Sequence, residues 1–112
     1  MFHRFAAFIL LPLAGCVSAQ NADRTLELSV GETRHITGYR AETCSAPAPS
    51  FTAIQGRLPR SELVTYSDGG PSSRVSNQCG KRVPTRAVNA TAVKVGREVK
   101  RYQSGTVAIV VK

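Results

Sequence analysis

The chain has no tryptophan, a single methionine at its first position, and only seven Asp and Glu against fifteen Lys and Arg. The few acids are not clustered, which argues against a calcium site built from several carboxylates. Neither G-x-S-x-G nor H-E-x-x-H occurs, so the local patterns of an α/β-hydrolase or a zinc peptidase are missing. C-x-x-C is absent too, which removes the motif of a thioredoxin-like redox site. Beyond the N-terminal region the only histidine is His35. It leaves no second base for a hydrolytic triad and too few ligands for a structural zinc. No apolar run reaches the roughly 20 residues that a membrane-spanning helix requires. Past that region no stretch sustains a 3.6-residue period, and no internal repeat stands out. No catalytic residue, metal or cofactor is expected.

What is present begins with an export signal. A weakly cationic start with Arg4 leads into "FAAFILLPLAG" and then small residues, the layout of a secretory signal peptide. Pro12 and Gly15 would interrupt the same stretch as a buried helix. Two ends are open. "VSA" before Gln20 suits cleavage after Ala19, giving a signal peptide over residues 1–19 and one domain over residues 20–112. "LAGC" resembles the lipobox of bacterial lipoproteins, which would cut after residue 15 and lipidate Cys16. Acyl chains contribute about 0.8 kcal/mol per buried CH₂, so a multiply acylated Cys16 would hold the membrane. The expected location is the periplasm or, as a lipoprotein, the outer membrane; a secreted soluble protein is the alternative.

Either cut removes Cys16 from the thiol pool and leaves Cys44 and Cys79 in an oxidising compartment. A disulfide between them would close a loop of about 35 residues, worth roughly 4 kcal/mol in the chain-entropy account. That is a large share of a stability of ~5–15 kcal/mol. A domain on the order of 95 residues buries only about 60–65 per cent of its surface and benefits from such a staple.

Loss of residues 1–19 takes away only Arg4 among the charged side chains, so the formal charge of +8 becomes +7. The excess concentrates in Lys81, Arg82, Arg86, Lys94, Arg97, Lys100 and Arg101, opposed in that stretch by Glu98 alone. Such a field draws anions. These seven residues are the anion-binding candidates. General solubility is the plain alternative.

The periodicity is that of strands. "TLELSV" alternates, with Leu26, Leu28 and Val30 on one side, and "GE" then turns the chain into "TRHITGY". "AETCSAPAPS" reads as a loop. "SFTAI" and "ELVTYS" read as short strands, "DGGP" as a turn with "SSRVS" pairing across it, and "GKRVPTR" as a connection. "AVNATAVKV" is strand-like, but its alternation breaks near Ala90–Ala92, which predicts a bulge or bend. "GREVKRY" and "TVAIVVK" flank "QSG" as a terminal hairpin. The second of these is apolar enough to be central and covered on both faces. The first is apolar on neither face, which predicts an edge strand. Short strands with frequent turns predict an all-β sandwich, with a small OB-like barrel as the alternative.

The succession "LELSVGETRHI", "TCSAPAPSFTAI", "CGKRV" and "GTVAIVVK" resembles small exported bacterial proteins with an immunoglobulin- or cadherin-like β-sandwich. In these a V-G-E/Q-S/T turn precedes the second strand, a cysteine precedes a P-x-F/V strand, and another cysteine precedes the last strands. The resemblance spans most of the chain after the signal and implies an immunoglobulin-like sandwich of about seven short strands. "GRLPRSELV" stands where relatives often have a Pro-x-Gly turn, and "SGTVA" stands where they tend to have Gly-x-Asp. Calcium binding of the cadherin type is therefore not implied.

The expected function is a non-catalytic binding or structural module of the bacterial cell envelope, with a basic surface for an anionic glycan, a lipid headgroup or an acidic protein. Two alternatives stand beside it, a periplasmic inhibitor of an acidic enzyme and an OB-like nucleic-acid-binding protein. The second needs aromatic stacking platforms. After the signal only Tyr39, Phe51, Tyr66 and Tyr102 could supply them, and export separates the chain from most nucleic acid, so nucleic acid is not an expected partner.

Overall fold

The structure, a computed structural model, describes residues 22–112. The expected signal peptide, both expected cleavage positions and Cys16 lie outside the described residues. Six strands and one short helix follow in the order β1 (Arg24–Leu28), β2 (Thr33–Arg40), α1 (Phe51–Gln55), β3 (Val64–Ser76), β4 (Lys81–Ala92), β5 (Gly96–Tyr102) and β6 (Gly105–Val111). The strand count is six rather than seven, because "SFTAI" is helical and what read as several pieces is one long hairpin.

In β1, Leu26 and Leu28 turn inward while Thr25 and Glu27 face water. Val30, expected on the same apolar face, falls in the following turn and is 53 % exposed. That turn is closed by the Glu32 amide donating to the Ser29 carbonyl at 2.9 Å. Glu32 Oε1 returns the contact by accepting from the Ser29 amide at 3.0 Å.

Residues 51–55 form a helical turn instead of a strand because local chemistry overrides the short apolar pattern. Ser50 caps it, its hydroxyl accepting the Ala53 amide, and Gly56 ends it. Ile54 is driven into the core with no measurable exposure.

"DGGP" is not a turn. β3 runs through it with a register shift between Asp68 and Gly70, and "SSRVS" continues the same strand. The reversal comes later, at Asn77–Gly80, where Gly80 adopts φ +68° and donates to the Ser76 carbonyl at 2.8 Å. "KRVPTR", read as a connection, is thus the first half of β4, paired from Lys81 to Arg86 with β3. Pro84 is tolerated there because β2 stops pairing at Thr85, so β4 has one neighbour at that point.

The broken alternation in β4 is real but sits earlier than expected. The buried positions switch from Val83, Thr85 and Ala87 to Val88, Ala90 and Ala92. At that switch both partners shift register, β2 between His35 and Thr37 and β3 between Asp68 and Gly70. The irregularity belongs to the neighbours of β4 rather than to β4.

Two three-stranded sheets result, β1-β6-β5 and β2-β4-β3. β1 joins β6 in parallel and the other pairs are antiparallel. The architecture is all-β and sandwich-like, with two separate sheets in place of the OB-like barrel. β2-β4-β3 follows the B-E-D order of an immunoglobulin sandwich, and β5 and β6 occupy the F and G places. The chain between β2 and β3, where strand C would run, holds instead the Cys44 loop and α1. β6 is central and β5 is an edge, as the patterning predicts. On β5, Arg97, Val99 and Arg101 face out, while Glu98, Lys100 and Tyr102 turn inward.

The core fills the space between the sheets. Leu28, Val107 and Ile109 from one meet Ile36, Val64 and Val88 from the other. Tyr66 and Tyr102 cross it edge to face, with ring centroids 6.2 Å apart.

Candidate functional site

The cysteines determine which loops come together. Cys44 and Cys79 are joined in a disulfide with Cα atoms 5.7 Å apart. It ties the loop after β2 to the β3–β4 turn. The end of β2, the end of β3 and the β5–β6 turn then line one cleft of ≈ 450 Å³, with Arg40, Arg74, Gln78 and Gln103 on its walls.

The two arginines are held from below by neutral acceptors. Arg74 Nη1 donates to the Gly38 carbonyl at 3.0 Å and Nη2 to Gln103 Oε1 at 3.1 Å. The same Oε1 accepts the Arg40 amide at 2.8 Å. The Arg40 guanidinium donates to the Ala41 carbonyl at 2.8 Å and to Gln78 Oε1. Among the described residues no carboxylate pairs with either charge. The ion pairs among the described residues are Arg34–Glu32, Arg86–Asp68, Lys100–Glu98 and Lys112–Glu27. Burial, and then the adjacent Arg40 charge, lower the Arg74 pKa below that of an ordinary guanidinium. Two like charges over one partly dry cleft raise the local positive potential, and a planar guanidinium is suited to grip an oxyanion with paired N–H bonds.

A second depression of ≈ 230 Å³ shares Arg74 and Ser104 with the first. Thr37 and Thr85 line it, and Thr37 Oγ1 lies 2.7 Å from Ser104 Oγ. Arg24 and His35 also border it. Burial, and then the Arg24 charge, hold His35 below its usual pKa. Other depressions are charge-matched. One lies over the Arg34–Glu32 and Lys112–Glu27 pairs, and another combines Arg60 and Lys100 with Glu62 and Glu98.

The seven candidates taken from the sequence are distributed over both sheets. Lys81, Arg82 and Arg86 lie on β4, Lys94 in the following loop, and Arg97, Lys100 and Arg101 on β5. Arg86 is held by Asp68 at 3.5 Å and Lys100 by Glu98 at 3.8 Å. Lys81, Arg82, Lys94, Arg97 and Arg101 are exposed. Arg82 reaches the rim of the second depression, donating to Ser73 Oγ at 3.1 Å.

Arg24, Arg40 and Arg74 escape a reading based on local charge density, because they are far apart in the chain. One signal does point to two of them. Arg40 and Arg74 each stand a few residues before a cysteine, so a Cys44–Cys79 bridge brings them to the same end of the domain.

The geometry is that of a small disulfide-stapled all-β domain with a cationic cleft at one end. Among the described residues no helix is long and apolar enough to cross a membrane, and no group of three His, Cys, Asp or Glu side chains comes together. No protein-family model, curated protein or solved structure matches the chain.

Proposed function

We propose that this protein is an exported, non-catalytic binding module of the bacterial cell envelope that holds an anionic partner between Arg40 and Arg74. The observation that carries the reading is the pair of guanidiniums facing one cleft, both tied to neutral acceptors and neither to a carboxylate. Uncompensated charge removed from water is costly, and an anion in the cleft would offset that cost. The disulfide fits an oxidising compartment. The "LAGC" stretch supports a lipid-anchored form facing the periplasm. A binding role is favoured over a hydrolytic one because His35 has Arg24, not a carboxylate, as its charged neighbour.

The test is a titration with inorganic phosphate followed by the side-chain Nε–H resonances of arginine. Arg40 and Arg74 shift together and saturably, and the Arg40→Gln/Arg74→Gln double variant abolishes the effect while its circular dichroism stays that of the parent. Shifts spread evenly over all arginines would reject the cleft.

A further inference from the structure

The two depressions adjoin and differ in chemistry from a simple anion hole, and their lining specifies what kind of anion they suit. We infer that the ligand is an acidic oligosaccharide that lies across both depressions, with charged groups at Arg40–Arg74 and at Arg24 and sugar hydroxyls over the serine and threonine surface between them. The inference rests on the reading of Arg40 and Arg74 as an anion site.

Three features carry it. The first is size. A cleft of ≈ 450 Å³, with one of ≈ 230 Å³ sharing two of its lining residues, falls in the range that accommodates ligands of many atoms, around 300–1,000 Å³, not a lone phosphate or sulfate. The second is the spacing of charge. Arg40 and Arg74 stand in the first depression, while Arg24 borders only the second. One small anion would not engage all three, but a chain with a charge on successive units would. The third is what fills the interval. Ser72, Ser73 and Ser104 line the second depression with Thr85 buried beneath them, and Asn77 and Gln78 line the first. Hydroxyls and amides both donate and accept, as sugar hydroxyls do.

The lining also separates this ligand from its rivals. Among the described residues no Phe or Tyr borders either depression, so these linings offer bases no stacking surface. A protein partner would normally place an aromatic or aliphatic anchor in an apolar pocket, and among the described residues Val75 is the one large apolar side chain on the two linings. Recognition by charge and hydroxyl contacts alone also implies strong sensitivity to salt.

The experiment uses the protein isolated from its host in exported form and measures binding by calorimetry at low and physiological salt. The probes are oligogalacturonates of two and six units, neutral maltohexaose, tripolyphosphate and a hexaglutamate peptide. The expected result is that the uronate hexamer binds about tenfold more tightly than the dimer, as a second attachment point on one chain requires. Maltohexaose does not bind, and hexaglutamate binds more weakly than the uronate hexamer. Arg24→Gln, at an exposed strand end, reduces hexamer binding to the level of the dimer and leaves tripolyphosphate binding unchanged. Affinity independent of length, an inert Arg24→Gln, or hexaglutamate binding as tightly as the uronate hexamer would overturn the oligosaccharide while leaving the Arg40–Arg74 site intact. If no anion binds, and Arg40→Gln/Arg74→Gln changes nothing, the site itself fails.

Discussion

Tyr66 and Tyr102 meet through their hydroxyls at 2.8 Å, across the gap between the two sheets. Tyr66 Oη also donates to the Pro59 carbonyl at 2.9 Å, so its single proton is committed and Tyr102 is the donor between the two rings. Tyr66→Phe breaks both bonds and strands the Tyr102 hydroxyl in the core, and should cost about 1–3 kcal/mol. Tyr102→Phe removes one donor and should cost less. Urea denaturation of both variants measures the difference. Burial raises the pKa of both phenols, for Tyr102 reinforced by the bond to Tyr66. A raised folded-state pKa gives stability that is complete below the unfolded value near 10 and declines as pH rises above it. The alkaline limb of the parent's stability profile should therefore be steeper than that of Tyr102→Phe.

The Cys44–Cys79 bridge should matter twice. Its loop of 35 residues corresponds to roughly 4 kcal/mol of lost unfolded-state entropy. A Cys44→Ser/Cys79→Ser variant should show a denaturation midpoint lower by an amount of that order. It should also bind anions less tightly than its stability alone dictates, because Gln78, which restrains Arg40, lies beside Cys79. Calorimetric titration well below the melting temperature separates the two effects.

Gly69 should not tolerate a methyl group. A Cβ built there would stand 2.9 Å from the backbone and Cβ of Ala87, and backbone cannot yield as a side-chain tip can. Gly69→Ala should destabilise by about 1–3 kcal/mol, as overpacking in a tight contact does. Thermal unfolding checks the size. Hydrogen exchange should place the loosening where β3 and β4 shift register.

His35 should make both stability and binding pH-dependent, in opposite senses. Its pKa is depressed by burial and then by Arg24. The folded state therefore favours the neutral ring. Stability is full above the unfolded value near 6.5 and declines as pH falls through that value to the folded pKa. In the folded protein the ring gains its charge only as pH falls through that lowered pKa, and there a protonated His35 adds positive charge beside Arg24, so uronate binding should tighten. His35→Gln should flatten both profiles on the acid side of the unfolded value near 6.5.

The outward charges of β5 should protect an edge. Arg97 and Arg101 flank Val99, which is 45 % exposed. Arg97→Val/Arg101→Val would create a continuous apolar strip on an edge strand, and such strips promote pairing between molecules. Light scattering should show concentration-dependent association, with phosphate binding at the cleft unchanged. If the same variant loses anion binding instead, β5 is part of the binding surface.

Side-chain alternation and turn chemistry determined much of this protein without reference to its fold. Leu26 and Leu28 could face only one way in a strand. The apolar run of β6 required a central place, and the charges on both faces of β5 required an edge. An expected export signal that takes Cys16 out of the count left Cys44 and Cys79 with each other. Local pattern failed where two local preferences competed and packing selected between them. The Gly69–Gly70 pair suits a turn as well as a bulge, and only the long pairing with β4 makes it a bulge. Five residues of "FTAIQ" fit a strand by composition, and the Ser50 cap and the place waiting for Ile54 make them a helix. The cleft lay furthest from view. Arg24, Arg40 and Arg74 belong to three different strands, and charge density along a chain carries no information about which strand ends will line neighbouring depressions. That was decided by a disulfide joining two loops and by the packing of one sheet on the other.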